Sequence, residues 1–371
     1  MKIGIDAKWL FRGPPSGARA VRQIVDGLTA VAPEHELHLF LDARARRSGT
    51  SYPVPDTRRH DVWARNNQLS NLFAVPRRAN RLRLDAVVYQ NFVPPPAFAH
   101  HARIAFVHDA IFASHPEFFT RRERLYFAPL RVLAASADRV CTGSVSERER
   151  LVRLRYAESG RVDVVPLAID PSFGPLDRLD PGETGRTLHG LGVTLPFVLF
   201  VSRLDPRKNV ATLVRAMARV RTTGLSLVIA GAGDAAPGKR AAAEIGMTGR
   251  IRWTGSVTDS QLGALYAAAT VFCFPSYDEG FGLPPLEAMA AGTPVVVSNI
   301  PALAETCGDA AVYVDPHDGS SIAAAIDALA GDDARRAILR EAGFRRAAEF
   351  TVERTARALL ASVHRAVASR S

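Results

Sequence analysis

The chain has 371 residues, is 47% hydrophobic and 23% charged, and carries a formal net charge of +10 at pH 7. That balance excludes a disordered or low-complexity chain, and the length suits two domains. No segment approaches the ~20 uninterrupted apolar residues of a membrane span. The opening MKIGIDAKWLF reads as a first strand, not a signal peptide. Cys141, Cys273 and Cys307 are odd in number and lack metal-ligand spacing, which points to buried thiols in a reducing cytoplasm. Charge is uneven: residues 1–170 hold 26 Lys and Arg against 17 Asp and Glu, a balance of +9, whereas residues 171–371 hold 21 against 20. The basic half, with clusters at Arg77, Arg78, Arg81 and Arg83 and at Arg121, Arg122, Arg124 and Arg131, fits nucleic acid, an anionic membrane or acidic acceptor, or a plain bias toward arginine.

In chain order, Lys2–Ile5 is expected as a strand, Asp6–Gly17 as a loop and Ala18–Val31 as a helix. The loop places Gly13, Ser16 and Gly17 before a helix start, whose positive end can accept an anion. Strands follow at Leu37–Leu41, Asp85–Tyr89, Arg103–Val107, Arg139–Thr142 and Val162–Val165, with Arg44–Arg59 polar and irregular. Three prolines keep Asn91–Pro96 extended. His108 stands at the carboxyl end of a strand, where an open α/β sheet binds ligands, although Asp109 could hold it for structure alone. Phe118–Ala137 has a helical period, and Ser144 or Ser146 is placed to cap the next helix.

The Pro-, Gly- and Asp-rich segment Pro171–Pro196 reads as an interdomain linker. Phe197–Val201 is a strand, and Asn209 or Thr212 caps a helix running to Val220. Between them lie Ser202, Arg203, Arg207 and Lys208; cations at a strand-to-helix turn suit a diphosphate better than a core. Leu225–Ala230 is a strand followed by GAGD, which lacks the third glycine and the distant acid of a dinucleotide fingerprint. Trp253–Val257 follows, and later Ala311–Val314 and the amphipathic Phe350–Val367. Most informative is Val271–Pro301: a strand, the loop Asp278-Glu279-Gly280-Phe281-Gly282, a helix opened by Pro284 and Pro285, and a second strand. The N–H groups of Phe281, Gly282 and Leu283 face the positive helix end. Glu279 and Glu287 beside such a phosphate site make sense if the ligand also bears hydroxyls, as a nucleotide sugar does.

Glu279, seven residues, then Glu287, within EGFGLPPLEAMAAGTPVV, resembles the signature of glycosyltransferase family 4. VHDAIFASHPEFF is similar to a run in bacterial GDP-mannose-dependent mannosyltransferases of that family. Departures occur at Leu167 and Ala168, and at Val352, where the family carries tryptophan. The resemblance implies a GT-B fold, two Rossmann-like doubly wound α/β domains facing a cleft. Residues 1–175 would bind acceptor, residues 190–349 the donor, and the helix 350–371 would pack back on the first domain. It implies catalytic roles for Glu279, His108, Arg203 and Lys208, with His108 near the donor sugar. Donor contacts would come from Gly17, Ser202, Gly231, Val257, Gly280, Phe281, Gly282, Leu283 and Glu287. The expected reaction is sugar transfer with retention from a nucleoside diphosphate sugar, best GDP-mannose, to a glycan or lipid-linked acceptor. No metal or other cofactor and no nucleic acid are expected, and the location is cytoplasmic, with peripheral membrane contact. A UDP-sugar-dependent transferase acting on a small molecule, an epimerase, a phosphorylase or a non-catalytic sugar binder are the alternatives.

Overall fold

The computed structural model describes residues 1–12, 15–44, 54–63 and 66–370. By internal contacts the chain divides into two compact units, Met1–Ala168 with Phe350–Ser371, and Ile169–Glu349. In the first, β1 (Lys2–Asp6), β2 (Glu36–Asp42), β3 (Arg59–Val62), β4 (Ala86–Gln90), β5 (Ala102–Phe106), β6 (Arg139–Thr142) and β7 (Val162–Val164) form a sheet in the order β3-β2-β1-β4-β5-β6-β7. Every pairing is parallel. Both faces are covered, so the inner strands read as unbroken apolar runs and Ile3, Ile5, Val87, Val88, Ile104 and Phe106 are fully buried.

The second unit repeats the plan with β8 (Phe197–Val201), β9 (Ser226–Ala230), β10 (Ile251–Gly255), β11 (Val271–Phe274), β12 (Val295–Ser298) and β13 (Ala311–Val314), ordered β10-β9-β8-β11-β12-β13 and again parallel. Each unit is a Rossmann-like doubly wound sheet. In each, the winding direction reverses once, between β1 and β4 and between β8 and β11. Such a reversal opens a crevice beyond the carboxyl ends of the two strands, and ligands of open α/β sheets bind there. Asp6 and Gln90 close the strands at the first reversal, Val201 and Phe274 those at the second.

Several elements differ from the sequence expectation. Gly13 and Pro14, and residues 45–53 of the polar stretch, lie outside the described residues. The supposed loop Asp6–Gly17 contains a short helix, Trp9–Arg12, and the next helix starts at Pro15, so Gly17 lies in its first turn and not ahead of it. Proline suits a first helical position, since its missing N–H has no partner there anyway. The stretch Phe118–Ala137 is two helices, Arg121–Phe127 and Leu130–Ala135, the first opened by a Thr120–Glu123 capping box and the second preceded by Pro129. Pro171–Pro196 is no bare linker: Asp180 caps a helix over Pro181–Gly190 by accepting from the Glu183 N–H. The helix after β8 ends at Met217, short of Val220. Ser144, not Ser146, caps its helix, accepting from the Glu147 N–H.

The C-terminal helix, Val352–Ala368, belongs to the first unit and lies against the helix Pro15–Val31. Its polar residues bind that unit too: Thr355 Oγ1 donates to the Pro166 carbonyl at 2.6 Å and Ser362 Oγ to Asp163 at 2.7 Å, while Arg365 reaches Asp163 at 2.9 Å. All three cysteines are buried free thiols; burial pushes Cys141 and Cys307 up to about 12 and Cys273 higher still, which leaves them inert. Close approach of the two helices rests on Gly27, where an added Cβ would stand 2.9 Å from the Val352 carbonyl oxygen and from Ala356 Cβ. Alanine gains up to ~1 kcal/mol in helix propensity over glycine, but overpacking costs about 1–3 kcal/mol. Gly27→Ala should therefore lower stability, by about 1–2 kcal/mol net, read as a lower urea midpoint; an unchanged or higher midpoint would show that the helices separate without cost.

Candidate active site

At the second reversal point, two loops are joined by a buried ion cluster. The loop after β8 makes a 3-10 turn at Pro206–Lys208 and leads into the helix Val210–Met217. The loop after β11 runs from Pro275 to Gly282. Tyr277 N–H donates to the Arg207 carbonyl at 2.9 Å, and Asn209 Nδ2 donates to the carbonyls of Pro275 at 3.0 Å and Pro316 at 2.7 Å. Asn209 thus spends its amide between loops and does not cap the helix with it. Lys208 Nζ donates to Glu279 Oε1 at 2.6 Å, and Arg207 donates to Glu279 Oε2 at 2.9 Å and to the Asp278 carbonyl at 2.6 Å. Lys208 also lies 5.0 Å from the centre of the Phe274 ring.

Lys208 and Glu279 are each only 7% exposed, so their charges are sustained by one another. Burial by itself would raise the Glu279 carboxyl; Arg207 and Lys208 outweigh it and hold the group down at about 2. Burial, with Arg207 alongside, lowers Lys208 against the opposing pull of Glu279. The carboxylate is therefore ionised at every working pH, held between Arg207 and Lys208.

The helix Leu283–Ala290 begins directly after this cluster. Gly282 is its N-cap at φ +102°, and a Cβ there would meet Leu303 Cδ2 at 2.5 Å, so only glycine fits. Pro284 and Pro285 fill the first turn and bring no N–H, which leaves Gly282 and Leu283 to supply the backbone donors at the helix mouth. One turn on, Glu287 is 1% exposed and accepts from the Tyr266 hydroxyl at 2.8 Å. Gly280 and the largely buried Phe281 lie between the two carboxylates in the chain.

The neighbouring loop is pressed equally close. A Cβ on Gly231, at φ +140°, would fall 1.8 Å from the Ser202 carbonyl oxygen. Leu204 N–H donates to the Ala232 carbonyl at 2.7 Å, and Asp234 N–H returns to Leu204 at 3.0 Å. The glycines of GAGD thus seat one loop on another. Ser202 is half-buried beside them, Arg203 exposed, and Val257 half-buried beyond β10.

Gly17 and His108 belong to the first unit. His108 follows β5, the strand beside β4 of that unit's reversal point; its ring lies 4.8 Å from Trp9 and 4.9 Å from Phe106, and its Nε2 is 2.8 Å from Gln90 Oε1. Burial pushes the imidazole down to about 4, and Asp109 offsets only part of that. Beneath it Asp6, Lys8 and Asn71 form a buried network: Lys8 Nζ donates to Asp6 and, at 2.7 Å, to Asn71 Oδ1, and Asn71 Nδ2 donates to Asp6 at 2.9 Å.

Sequence reasoning counted Arg207 among the clamp cations and Asp278 in the loop, but it gave Lys208 and Glu279 separate tasks without joining them and did not place Tyr266 at the site. The joining bonds span 71 residues of chain. The run Pro-Arg-Lys-Asn at 206–209 carried a signal for Arg207, as an arginine beside an already chosen lysine.

Two Rossmann-like units, the second with a cation-flanked carboxylate and a glycine-capped helix at its reversal point, define the GT-B class of architecture. Residues 17–173 match the family described as Glycosyltransferase Family 4, and residues 182–346 match Glycosyl transferases group 1. With both units matched, the chain belongs to the family 4, group 1 glycosyltransferases. It is 34% identical over 242 residues to D-inositol 3-phosphate glycosyltransferase of Mycobacterium marinum, covering 62% of this chain and 51% of that protein. The chain thus spans about half the length of the curated relatives it matches. Sucrose-phosphate synthase of Thermosynechococcus elongatus superposes over all of both chains with a TM-score of 0.76 at 21% identity. Anabaena HepE in complex with UDP-glucose does so over 98% of this chain and 99% of its own, with a TM-score of 0.76 at 18% identity.

The ion cluster makes a pH prediction. The folded-state pKa of Glu279 is depressed, so its contribution to stability is complete above its ordinary value of 4.5 and is lost as pH falls toward about 2. Between pH 5 and pH 2 the wild type should lose up to about 3 kcal/mol more than Glu279→Gln, measured from urea midpoints. Parallel acid profiles would mean that the cluster does not hold the carboxylate as described.

Proposed function

We propose that this protein is a retaining glycosyltransferase that moves a sugar from a nucleoside diphosphate donor held by the second unit. The observation that carries the reading is Glu279, kept ionised by Arg207 and Lys208 next to a glycine-capped helix start at a sheet reversal point. Arg203, Arg207 and the N–H groups of Gly282 and Leu283 suit a leaving diphosphate, whose charge grows in the transition state. In this reading no metal ion or other cofactor is required. Glu279 takes sugar hydroxyls, Glu287 the ribose, and Gly280, Phe281, Ser202, Gly231 and Val257 line the nucleotide. Gly17 and His108 serve the sugar and acceptor side. The UDP-glucose bound by HepE supports a nucleotide-sugar donor.

For the finer choice, GDP-mannose and a glycan or glycolipid of cell-surface polysaccharide synthesis is our first reading, resting on the VHDAIFASHPEFF run. The name of the sequence relatives favours a second acceptor class, a phosphorylated polyol. A screen of GDP- and UDP-sugars against mannosides, lipid-linked glycans and inositol phosphates, read as nucleoside diphosphate release that requires acceptor, separates them. Release without acceptor, or none with any donor, would reject the transferase.

Mutant kinetics test the roles. Arg203 is exposed, so Arg203→Ala should lower turnover by roughly 10²-fold with unchanged stability. Lys208 is buried against Glu279, so Lys208→Ala should cost both turnover and fold stability. Glu279→Ala should act mainly on kcat and Glu287→Ala mainly on donor binding; identical patterns would refute the division of labour.

We also infer peripheral attachment of the first unit to anionic lipid. Arg77, Arg78, Arg81 and Arg83 are exposed around the helix Val75–Leu82, as are Arg121, Arg122, Arg124 and Arg131. Apolar side chains stand out among them: Phe73 and Phe98, with ring centres 5.7 Å apart, and Leu125 and Val132. Gln68 donates to the Tyr126 carbonyl and joins the two regions. No described helix is long and apolar enough to cross a membrane. Each well-placed cation contributes ~1 kcal/mol on an anionic surface. Co-sedimentation with anionic but not neutral vesicles, weakened by salt and by Phe73→Ser with Arg77→Glu, is the expected outcome; equal partitioning in both would dismiss it.

A further inference from the structure

Gln90 is fully buried, yet its side chain makes a single hydrogen bond among the described residues. Its Nε2 finds no partner. An unsatisfied buried amide costs stability, and an apolar residue of the same size would avoid that cost. What Gln90 obtains in exchange is the contact with His108. Its backbone is rigidly set for this: the N–H donates to Asp6 Oδ2 at 3.3 Å, and the carbonyl accepts from Asn71 Nδ2 at 3.3 Å. In the sheet, Gln90 pairs with Phe106, two residues before His108.

The imidazole is thereby enclosed on three sides. Trp9 and Phe106 pack on the ring at 4.8 and 4.9 Å, and Gln90 occupies Nε2. No side chain among the described residues bonds Nδ1.

We propose that Gln90 is a positioning residue: its amide oxygen fixes His108 as the Nε2–H tautomer, so that Nδ1 is presented as a lone-pair acceptor for a substrate hydroxyl. An amide oxygen only accepts, so the Nε2 nitrogen must carry the proton. Burial keeps the ring uncharged, which leaves Nδ1 without a proton. The charged groups around the ring do not reverse this. Asp109 follows it in the chain; Asp6 and Lys8, beyond the Gln90 amide, neutralise one another; and Glu147, from the helix Val145–Arg153, is bonded to the Ala110 N–H at 2.8 Å and to Arg150 at 2.8 Å. The ligand class is a neutral polyol or sugar whose hydroxyl donates. The proposal rests on the glycosyl-transfer reading for its substrate but not for its tautomer.

The test joins spectroscopy to kinetics. In protein with 15N-labelled histidine, long-range 1H–15N correlation, with the signal assigned by its loss in His108→Asn, should show a neutral Nε2–H ring at pH 7. Gln90→Glu puts a carboxylate against Nε2 and should raise the His108 pKa by ~1 unit or more; the acid limb of kcat/KM should move up equally, because a protonated Nδ1 can no longer accept. Gln90→Met keeps the bulk without the acceptor and should lower kcat/KM about 10-fold without moving that limb. A purely structural Gln90 predicts similar losses in both variants with the acid limb fixed, and that result, or an Nδ1–H tautomer in the wild type, overturns the proposal. Should Gln90→Glu fail to fold, the wild-type tautomer and its loss in Gln90→Met decide the matter. Failure of the glycosyl-transfer reading would look different: a wild-type protein inert toward every nucleotide sugar, with the tautomer still measurable.

Discussion

A carboxylate withdrawn from water remains charged only if cations come with it, and the second unit is arranged around that requirement at Glu279. Desolvation costs several kcal/mol per ion and is offset only by close, well-directed partners. Lys208 at 2.6 Å and Arg207 at 2.9 Å satisfy it, and both come from the loop that follows the neighbouring strand in the sheet. The two loops are consequently one body. Tyr277 and Asn209 add neutral hydrogen bonds that set their spacing, so neither charge can relax away when the other is engaged. A site of this kind is preorganised: its dipoles and charges need little rearrangement when negative charge develops nearby.

The first unit solves its site in the opposite way. At its reversal point the charges of Asp6 and Lys8 are spent on each other, and what faces outward is an uncharged imidazole packed by an indole and a phenyl ring. The two reversal points, alike in topology, are therefore unlike in electrostatics: one holds an acid between two cations, the other pairs its acid and its cation internally beside a neutral ring.

What the sequence revealed follows from how local each signal is. The stretch from β11 to β12 was legible because glycines, prolines and two acids at fixed spacing have few other uses, and Gly282 and Pro284 do occupy the cap and first turn. The buried strands were legible as apolar runs. β3 was not, since Arg59, His60 and Asp61 make an edge strand that is mostly polar. The helix Pro181–Gly190 was hidden by its own glycines and proline, although Asp180 and Glu183 formed a readable cap. The pairing of Glu279 with Lys208 was beyond reach although both residues were visible, because nothing in a one-dimensional pattern says which acid meets which base across two strands; Gln90, the partner of His108, carried no signal at all.

The return of the C-terminal helix to the first unit has a consequence for biosynthesis. Residues Met1–Ala168 leave the ribosome well before Phe350–Ser371, with the whole of Ile169–Glu349 emerging in between. At roughly 5–20 residues per second the interval is of order ten seconds or more. Through that time the groove beside Gly27 and the side chains of Asp163 and Cys141 lack the helix that covers them. The second unit, continuous in sequence, can close its own core first. The nascent chain therefore carries an unfinished N-terminal half through the whole synthesis of the second unit, and it is in that window that a chaperone would find apolar surface to hold.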